Sequence, residues 1–297
     1  MRRLVLSIII VLSVIFAVLF KINMKGDFTA EKDFYNIKRS YSQMPRNPDA
    51  TLVGNQAHIE KDLIQFIKKF PQTIAAKHAH LMLATLFLEK EKFAEAIALA
   101  SYITKKYKED ATISSYAQFI KAQSYEIKKD WEKALDEYDI LMYEYTQTSV
   151  GAKAPLYVAR YYAQNDMPAE AQEAYKKAAL FYDELEKKNR DSLLGLLYSN
   201  LLVATYVYLE NFEEAGKVVE GAIVNYAQPA ALAGLVDQVY DIFVRKLNRP
   251  EKAMEIYSGL LQKTQESPLA RHIIRRITDL RKREEKSNDD RLKTDGR

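Results

Sequence analysis

Residues 119–141 read FIKAQSYEIKKDWEKALDEYDIL, and their arrangement decides the architecture of the chain. Small Ala122 is followed one turn later by Tyr125, and Ala134 is followed one turn later by Tyr138. Between the two pairs lies the polar turn KKDW. Residues three and four apart share one face of a helix, so the stretch predicts two short helices meeting along their alanines. The tyrosines then fill the groove between them.

The arrangement recurs on both sides. HLMLATLFLEKEKFAEAIALASYI (80–103) carries Ala84, Phe87, Ala96 and Ala100, and YVARYYAQNDMPAEAQEAYKKA (157–178) carries Ala159, Tyr162, Ala171 and Tyr175. Fainter copies follow in LVATYVYLENFEEAGKVVEGA (202–222), with Tyr206, Ala215 and Ala222, and in FVRKLNRPEKAMEIYSGL (243–260), with Ala253 and Tyr257. The second-helix alanines Ala96, Ala134, Ala171, Ala215 and Ala253 stand 38, 37, 44 and 38 residues apart. One such hairpin cannot cover its own apolar face and must stack on the next. The turns EKEKF, KKDW, QNDMP, LENF and LNRP are short and polar, as antiparallel neighbours require.

On these residues the chain resembles the tetratricopeptide repeat family, whose pattern places small residues twelve apart, with aromatics three after the first and four after the second. The match covers residues 56–268. It departs from the family in lacking a regular Trp and a closing Pro, and its periods exceed the usual 34, so the helices are expected to be lengthened. The resemblance implies an all-α, right-handed superhelical solenoid of about five hairpins. IEKDLIQFIKKFPQT (59–73) reads as the second helix of an incomplete leading hairpin, and its ending resembles the closure of bacterial envelope repeat proteins of the β-barrel-assembly and Tol-Pal accessory type. The layout as a whole is similar to the ancillary subunit of the bacterial Sec translocon.

Ahead of the array, LVLSIIIVLSVIFAVLF (4–20) is an uncharged run of 17 residues. As a helix it spans roughly 25 Å, near the short limit for a hydrocarbon core about 30 Å thick, and Lys21 and Lys25 can snorkel to the interface. A cleaved signal peptide is the competing reading, with Arg2 and Arg3 as its positive start. The run exceeds the usual h-region, however, and FKINMKGD lacks an A-x-A-like pair, which favours an uncleaved anchor. Arg2 and Arg3 lean toward an N-terminus in the cytoplasm, against Lys21, Lys25 and Lys32. The expected order is a cytoplasmic stub (1–3), an anchor (4–20), a juxtamembrane spacer (21–55) marked by Gly26, Pro45, Pro48 and Gly54, the array (56–268), and a capping helix with a charged tail (269–297). The cap is read from the stripe Leu269, Ile273, Ile277 and Leu280.

Composition agrees with long helices: 9 Gly and 8 Pro in 297 residues, with 48% hydrophobic content. The absence of Cys excludes disulfides, thiolate zinc sites and an acylated lipoprotein cysteine. The net charge of +4 is confined to the tail, where residues 271–297 hold 10 Lys/Arg against 6 Asp/Glu. The near-neutral body argues against nucleic-acid binding.

No nucleotide-binding, zincin or hydrolase motif is present, and His58, His78, His80 and His272 stand in no ligand-converging spacing. The expectation is therefore a protein with no catalytic residues, cofactor, metal or small-molecule substrate. Tyr125, Tyr138, Tyr162, Tyr175, Tyr206 and Tyr257 are assigned to the repeat core. In the family, the inner face of each first helix lines a concave groove for an extended or helical partner segment. Carried onto the matching copies, the resemblance implies a groove of Tyr116, Gln123 and Glu126, then Lys153, Arg160 and Gln164, then Asn200 and Tyr208. The partners expected are peptide or helix segments of envelope export or assembly factors, with the array in the periplasm of a bacterial inner-membrane protein. The alternative is a cytoplasm-facing docking or regulatory subunit.

Overall fold

The computed structural model describes residues 27–44, 50–226, 229–264 and 267–295. The expected anchor at 4–20 and the stub before it lie outside these residues. Among the described residues no helix is long and apolar enough to cross a membrane.

All regular structure among the described residues is helical. Helix α1 covers residues 27–42, followed by α2 (Ala50–Lys69), α3 (Ile74–Glu89), α4 (Phe93–Lys106), α5 (Ala111–Ile127), α6 (Trp131–Glu144), α7 (Ser149–Gln164), α8 (Pro168–Lys188), α9 (Leu193–Tyr208), α10 (Phe212–Asn225), α11 (Pro229–Val239), α12 (Pro250–Thr264) and α13 (Pro268–Asp295). The five sequence copies are the pairs from α3/α4 to α11/α12. The chain divides into two compact units, Met1–Gly151 and Ala152–Arg297.

The five hairpins from α3/α4 to α11/α12 are closed by one device. At the end of each first helix a non-glycine residue takes positive φ: Glu91 (56°), Lys129 (63°), Asp166 (57°), Glu210 (55°) and Asn248 (52°). In the first four, the next N–H reaches back to the aromatic residue of the pattern, with Lys92 donating to the carbonyl of Phe87 (2.8 Å), Asp130 to Tyr125 (2.9 Å), Met167 to Tyr162 (3.0 Å) and Asn211 to Tyr206 (2.9 Å). This is a Schellman closure, which satisfies carbonyls that the helix end would otherwise orphan. The aromatic that follows the small residue therefore holds a set place on the backbone as well as in the groove.

The turns between hairpins are also alike. Thr73, Asp110, Thr148 and Ser192 cap α3, α5, α7 and α9 by accepting the N–H of Ala76 (3.2 Å), Ile113 (3.2 Å), Gly151 (3.1 Å) and Gly195 (3.1 Å). Each stands three residues after Phe70, Tyr107, Tyr145 or Asn189, so the FPQT ending has counterparts in YKED and YTQT.

In the first unit α3 packs on α2, α4 and α5, and α5 packs on α6. Ala84, Ala96, Ala100 and Ala117 are buried there, which lets the helix backbones approach closely. In the second unit α9 packs on α8, α10 and α11, and α11 packs on α13. Leu269, Ile273, Ile277 and Leu280 of α13 are buried in that core.

Three departures from the sequence reading have physical causes. The expected spacer is largely helix: α1 presents Ala30, Phe34, Ile37 and Tyr41 at helical spacing and seats them against Ile59, Leu63 and Phe66 of α2. The leading hairpin is thus complete. The long 44-residue interval arises in α8, which has 21 residues where α4, α6 and α10 have 14. The fifth copy is faint because α11 continues into a π-helical segment, Tyr240–Lys246. One extra residue is absorbed there, and Arg249 N–H reaches the carbonyl of Phe243 across six residues instead of five (2.6 Å). Phe243 thereby takes the place of the pattern's first-helix aromatic.

Candidate functional site

The expected groove residues fall into both units. In the first, Tyr116 is half exposed and Gln123 partly exposed, while Glu126 accepts a hydrogen bond from the hydroxyl of Tyr138 (2.7 Å) and so helps to tie its own hairpin together. In the second, Lys153, Arg160 and Gln164 follow one another along one exposed face of α7. Asn200 of α9 is bound on both sides, its Nδ2 donating to the carbonyl of Leu196 (2.9 Å) and its Oδ1 accepting from Gln238 Nε2 on α11 (2.9 Å).

Arg160 and Tyr208 are brought together. The Arg160 guanidinium lies 5.1 Å from the centre of the Tyr208 ring, and Tyr208 stacks almost parallel on Tyr175 of α8, with 4.9 Å between centroids and 10° between planes. Such a pair is worth about 0.5–1.5 kcal/mol beyond its buried area, and an exposed cation over a ring about 0.5–1 kcal/mol. Tyr208 remains 49% exposed whereas Tyr175 is only 5% exposed. The result is an aromatic ledge with a rigid, buried half and a half open to solvent. Burial raises the Tyr175 phenol above its ordinary value, with nearby Tyr208 adding to the shift and Arg160 opposing it.

A contact beside Pro155 helps to position the ledge. Proline within α7 contributes no N–H and crowds the preceding turn. The amide of Leu156, the next residue, donates to the hydroxyl of Tyr182, which reaches over from α8 at 3.2 Å and is fully buried. This contact fixes α8 against α7 two turns from Tyr175.

Beside the ledge, between the α7–α8 and α9–α10 turns, is a cleft of about 590 Å³ lined by Asp166, Gln172, Tyr175, Tyr208 and Glu210, among others. Asp166 and Glu210 are the positive-φ residues of the two turns. Tyr175, assigned from sequence to packing, is buried as expected but also reaches the cleft. The sequence signal for the rim was present in the turns QNDMP and LENF, whose carboxylates recur at one place in the hairpin closure. Among the described residues no cluster of His, Asp and Glu suited to a metal ion occurs.

No protein family's model matches the chain, and no curated protein matches it. Among solved structures it is similar to a tetratricopeptide repeat protein from Parabacteroides merdae, at 14% identity over 83% of this chain and 99% of that one, with a TM-score of 0.35. It is also similar to the apo form of the quorum sensor NprR from B. thuringiensis, at 18% identity over 88% of this chain and 84% of that one, with a TM-score of 0.36. The hairpin repeat stands on the chain's own recurring closures and caps.

Proposed function

We propose that the chain is a non-catalytic scaffold of the tetratricopeptide type, anchored through residues 4–20, that holds a partner polypeptide on the first-helix face of its second unit. The observation that carries this reading is the ledge of Arg160, Tyr208 and Tyr175 beside an open cleft, since half-exposed aromatics with an adjacent arginine are the side chains that dominate binding energy at protein interfaces. Lys153 and Gln164, which have no side-chain partner among the described residues, extend the face along α7. With Arg2 and Arg3 at the cytoplasmic end of the anchor, the array stands in the periplasm and serves export or assembly of envelope proteins. Lys21, Lys25 and Lys32 support the opposite reading, a cytoplasm-facing docking subunit.

Crosslinked capture of partners by the full-length chain tests the face: Arg160→Glu and Tyr208→Ala are expected to lose them while the helical fold is kept. Recovery of the same partners by both variants overturns it. Protease access in spheroplasts and inverted vesicles decides the side, with cleavage of the array in spheroplasts as the expected result.

A further inference from the structure

Three clefts of similar size carry carboxylates, and two of them are neutralised from within. In the cleft around Glu60, Lys90 and Lys92 hold the carboxylate at 2.5 and 3.2 Å. In the cleft around Glu213, Arg249 holds Glu213 at 2.7 Å and Lys252 holds Glu220 at 3.1 Å. In the cleft between the α7–α8 and α9–α10 turns, Asp166 and Glu210 have no side-chain hydrogen bond or ion pair among the described residues, and no Lys or Arg is among the residues that line it.

A second, independent observation lies on the floor. Tyr175 is 5% exposed, and its hydroxyl, buried from solvent, has no hydrogen-bond partner. Leaving such a group unsatisfied costs about 1–3 kcal/mol, and native structures keep few of them. The three other tyrosines buried as completely at second-helix positions find partners: Tyr138 donates to Glu126, Tyr182 accepts from the Leu156 amide, and Tyr257 donates to the carbonyl of Val236 at 2.8 Å. Two buried tyrosine hydroxyls among the described residues lack a partner, those of Tyr175 and Tyr226, and Tyr175 is the one that borders the unneutralised cleft.

The geometry points to this cleft as the receptor for an arginine side chain presented by the partner polypeptide, an assignment that rests on the scaffold reading above. A guanidinium is planar and stacks on aromatic faces, and its fixed fork of donors serves several acceptors at once. Here the acceptors are the carboxylates of Asp166 and Glu210 and the free oxygen of Tyr175. A lysine ammonium, a compact and strongly hydrated charge, uses the aromatic floor less well. The chain's own Arg160 already occupies a face of Tyr208 in this manner. Tyr208, half exposed and stacked on Tyr175, lines the same cleft.

Calorimetric titration of the full-length chain with two short peptides, identical except for a central arginine or its neutral isostere citrulline, tests the assignment. The arginine peptide is expected to bind about tenfold more tightly, as charge-assisted hydrogen bonds require. Asp166→Asn combined with Glu210→Gln is expected to remove the preference. Tyr175→Phe is expected to weaken arginine-peptide binding several-fold while leaving the melting temperature unchanged or higher, a combination that loss of fold cannot produce. Equal binding of the two peptides, or full affinity in Tyr175→Phe, overturns the assignment. If partner capture is still lost in Arg160→Glu while the peptides bind equally, the cleft's selectivity falls and the scaffold reading stands. If capture survives that substitution, the scaffold reading falls first.

Discussion

Replacing Tyr182 by phenylalanine takes one oxygen from the core of the second unit and withdraws the acceptor of the Leu156 amide. Both residues are buried, with Tyr182 0% and Leu156 4% exposed, and the N–H to hydroxyl distance is 3.2 Å. The ring and its packing are retained, so the cavity contribution is small. What is lost is the partner of a buried donor in the turn that Pro155 disturbs, which costs about 1–3 kcal/mol. Tyr175→Phe is the matched control: the same chemical change at a buried hydroxyl with no partner is expected to be neutral or to stabilise by up to about 1 kcal/mol. Urea unfolding followed by circular dichroism reads both variants as shifts in midpoint at constant slope. Opposite signs are expected. A Tyr182→Phe cost under about 0.5 kcal/mol would refute the reasoning, because the Leu156 amide would then be satisfied within α7.

Three further expectations follow from the turns and from one histidine. Lys129 sits at φ 63°, where a side chain costs about 1–2 kcal/mol, so Lys129→Gly is expected to raise the unfolding midpoint and Lys129→Val to lower it; a lower midpoint for the glycine variant contradicts the turn geometry. A Cβ at Gly195 would lie 2.3 Å from the carbonyl oxygen of Asn189 and 2.5 Å from the Tyr226 hydroxyl, and Gly195→Ala is expected to cost about 1–3 kcal/mol by overpacking, checked by thermal melting. Burial holds the His80 imidazole below its ordinary value, with Lys106 adding to the shift, although its Nδ1 lies 2.7 Å from the carbonyl oxygen of Ala76. Because the unfolded chain takes up that proton first, the His80 contribution is complete above about pH 6.5 and declines as pH falls from there to the depressed folded value. A His80→Gln variant should show a flatter melting temperature between pH 7 and the acid side, and an unchanged slope would remove His80 as the cause.

The hairpins were legible because alanine spacing and helix pairing are local facts: Ala122, Tyr125, Ala134 and Tyr138 need only one another to declare a turn and two faces. Helix α1 is equally local, but Gly26, Pro45 and Pro48 flank it with turn signals, and its stripe has only four apolar residues over three turns. The fifth copy was blurred by a change of helix type, since a π turn shifts the aromatic by one position while leaving its role intact. At the site, Arg160 and Tyr208, which the resemblance implies as groove residues, lie against each other. Glu126 and Asn200 came with them but are engaged by Tyr138 and Gln238, neighbours that only the packed hairpins bring within reach. The free hydroxyl of Tyr175 had no signature at all, because lacking a partner is a property of surroundings.

The widened segment Tyr240–Lys246 also bears on how the length of the chain can change. Deleting one residue from a regular helix such as α5 rotates everything beyond it by about 100° and turns its buried face outward. Deleting one residue from the widened segment returns it to ordinary α geometry and leaves Leu235 and Val239 before it, and Ala253 and Tyr257 after it, still directed at the core. The extra residue is thus absorbed within the helix and not passed on to its neighbours.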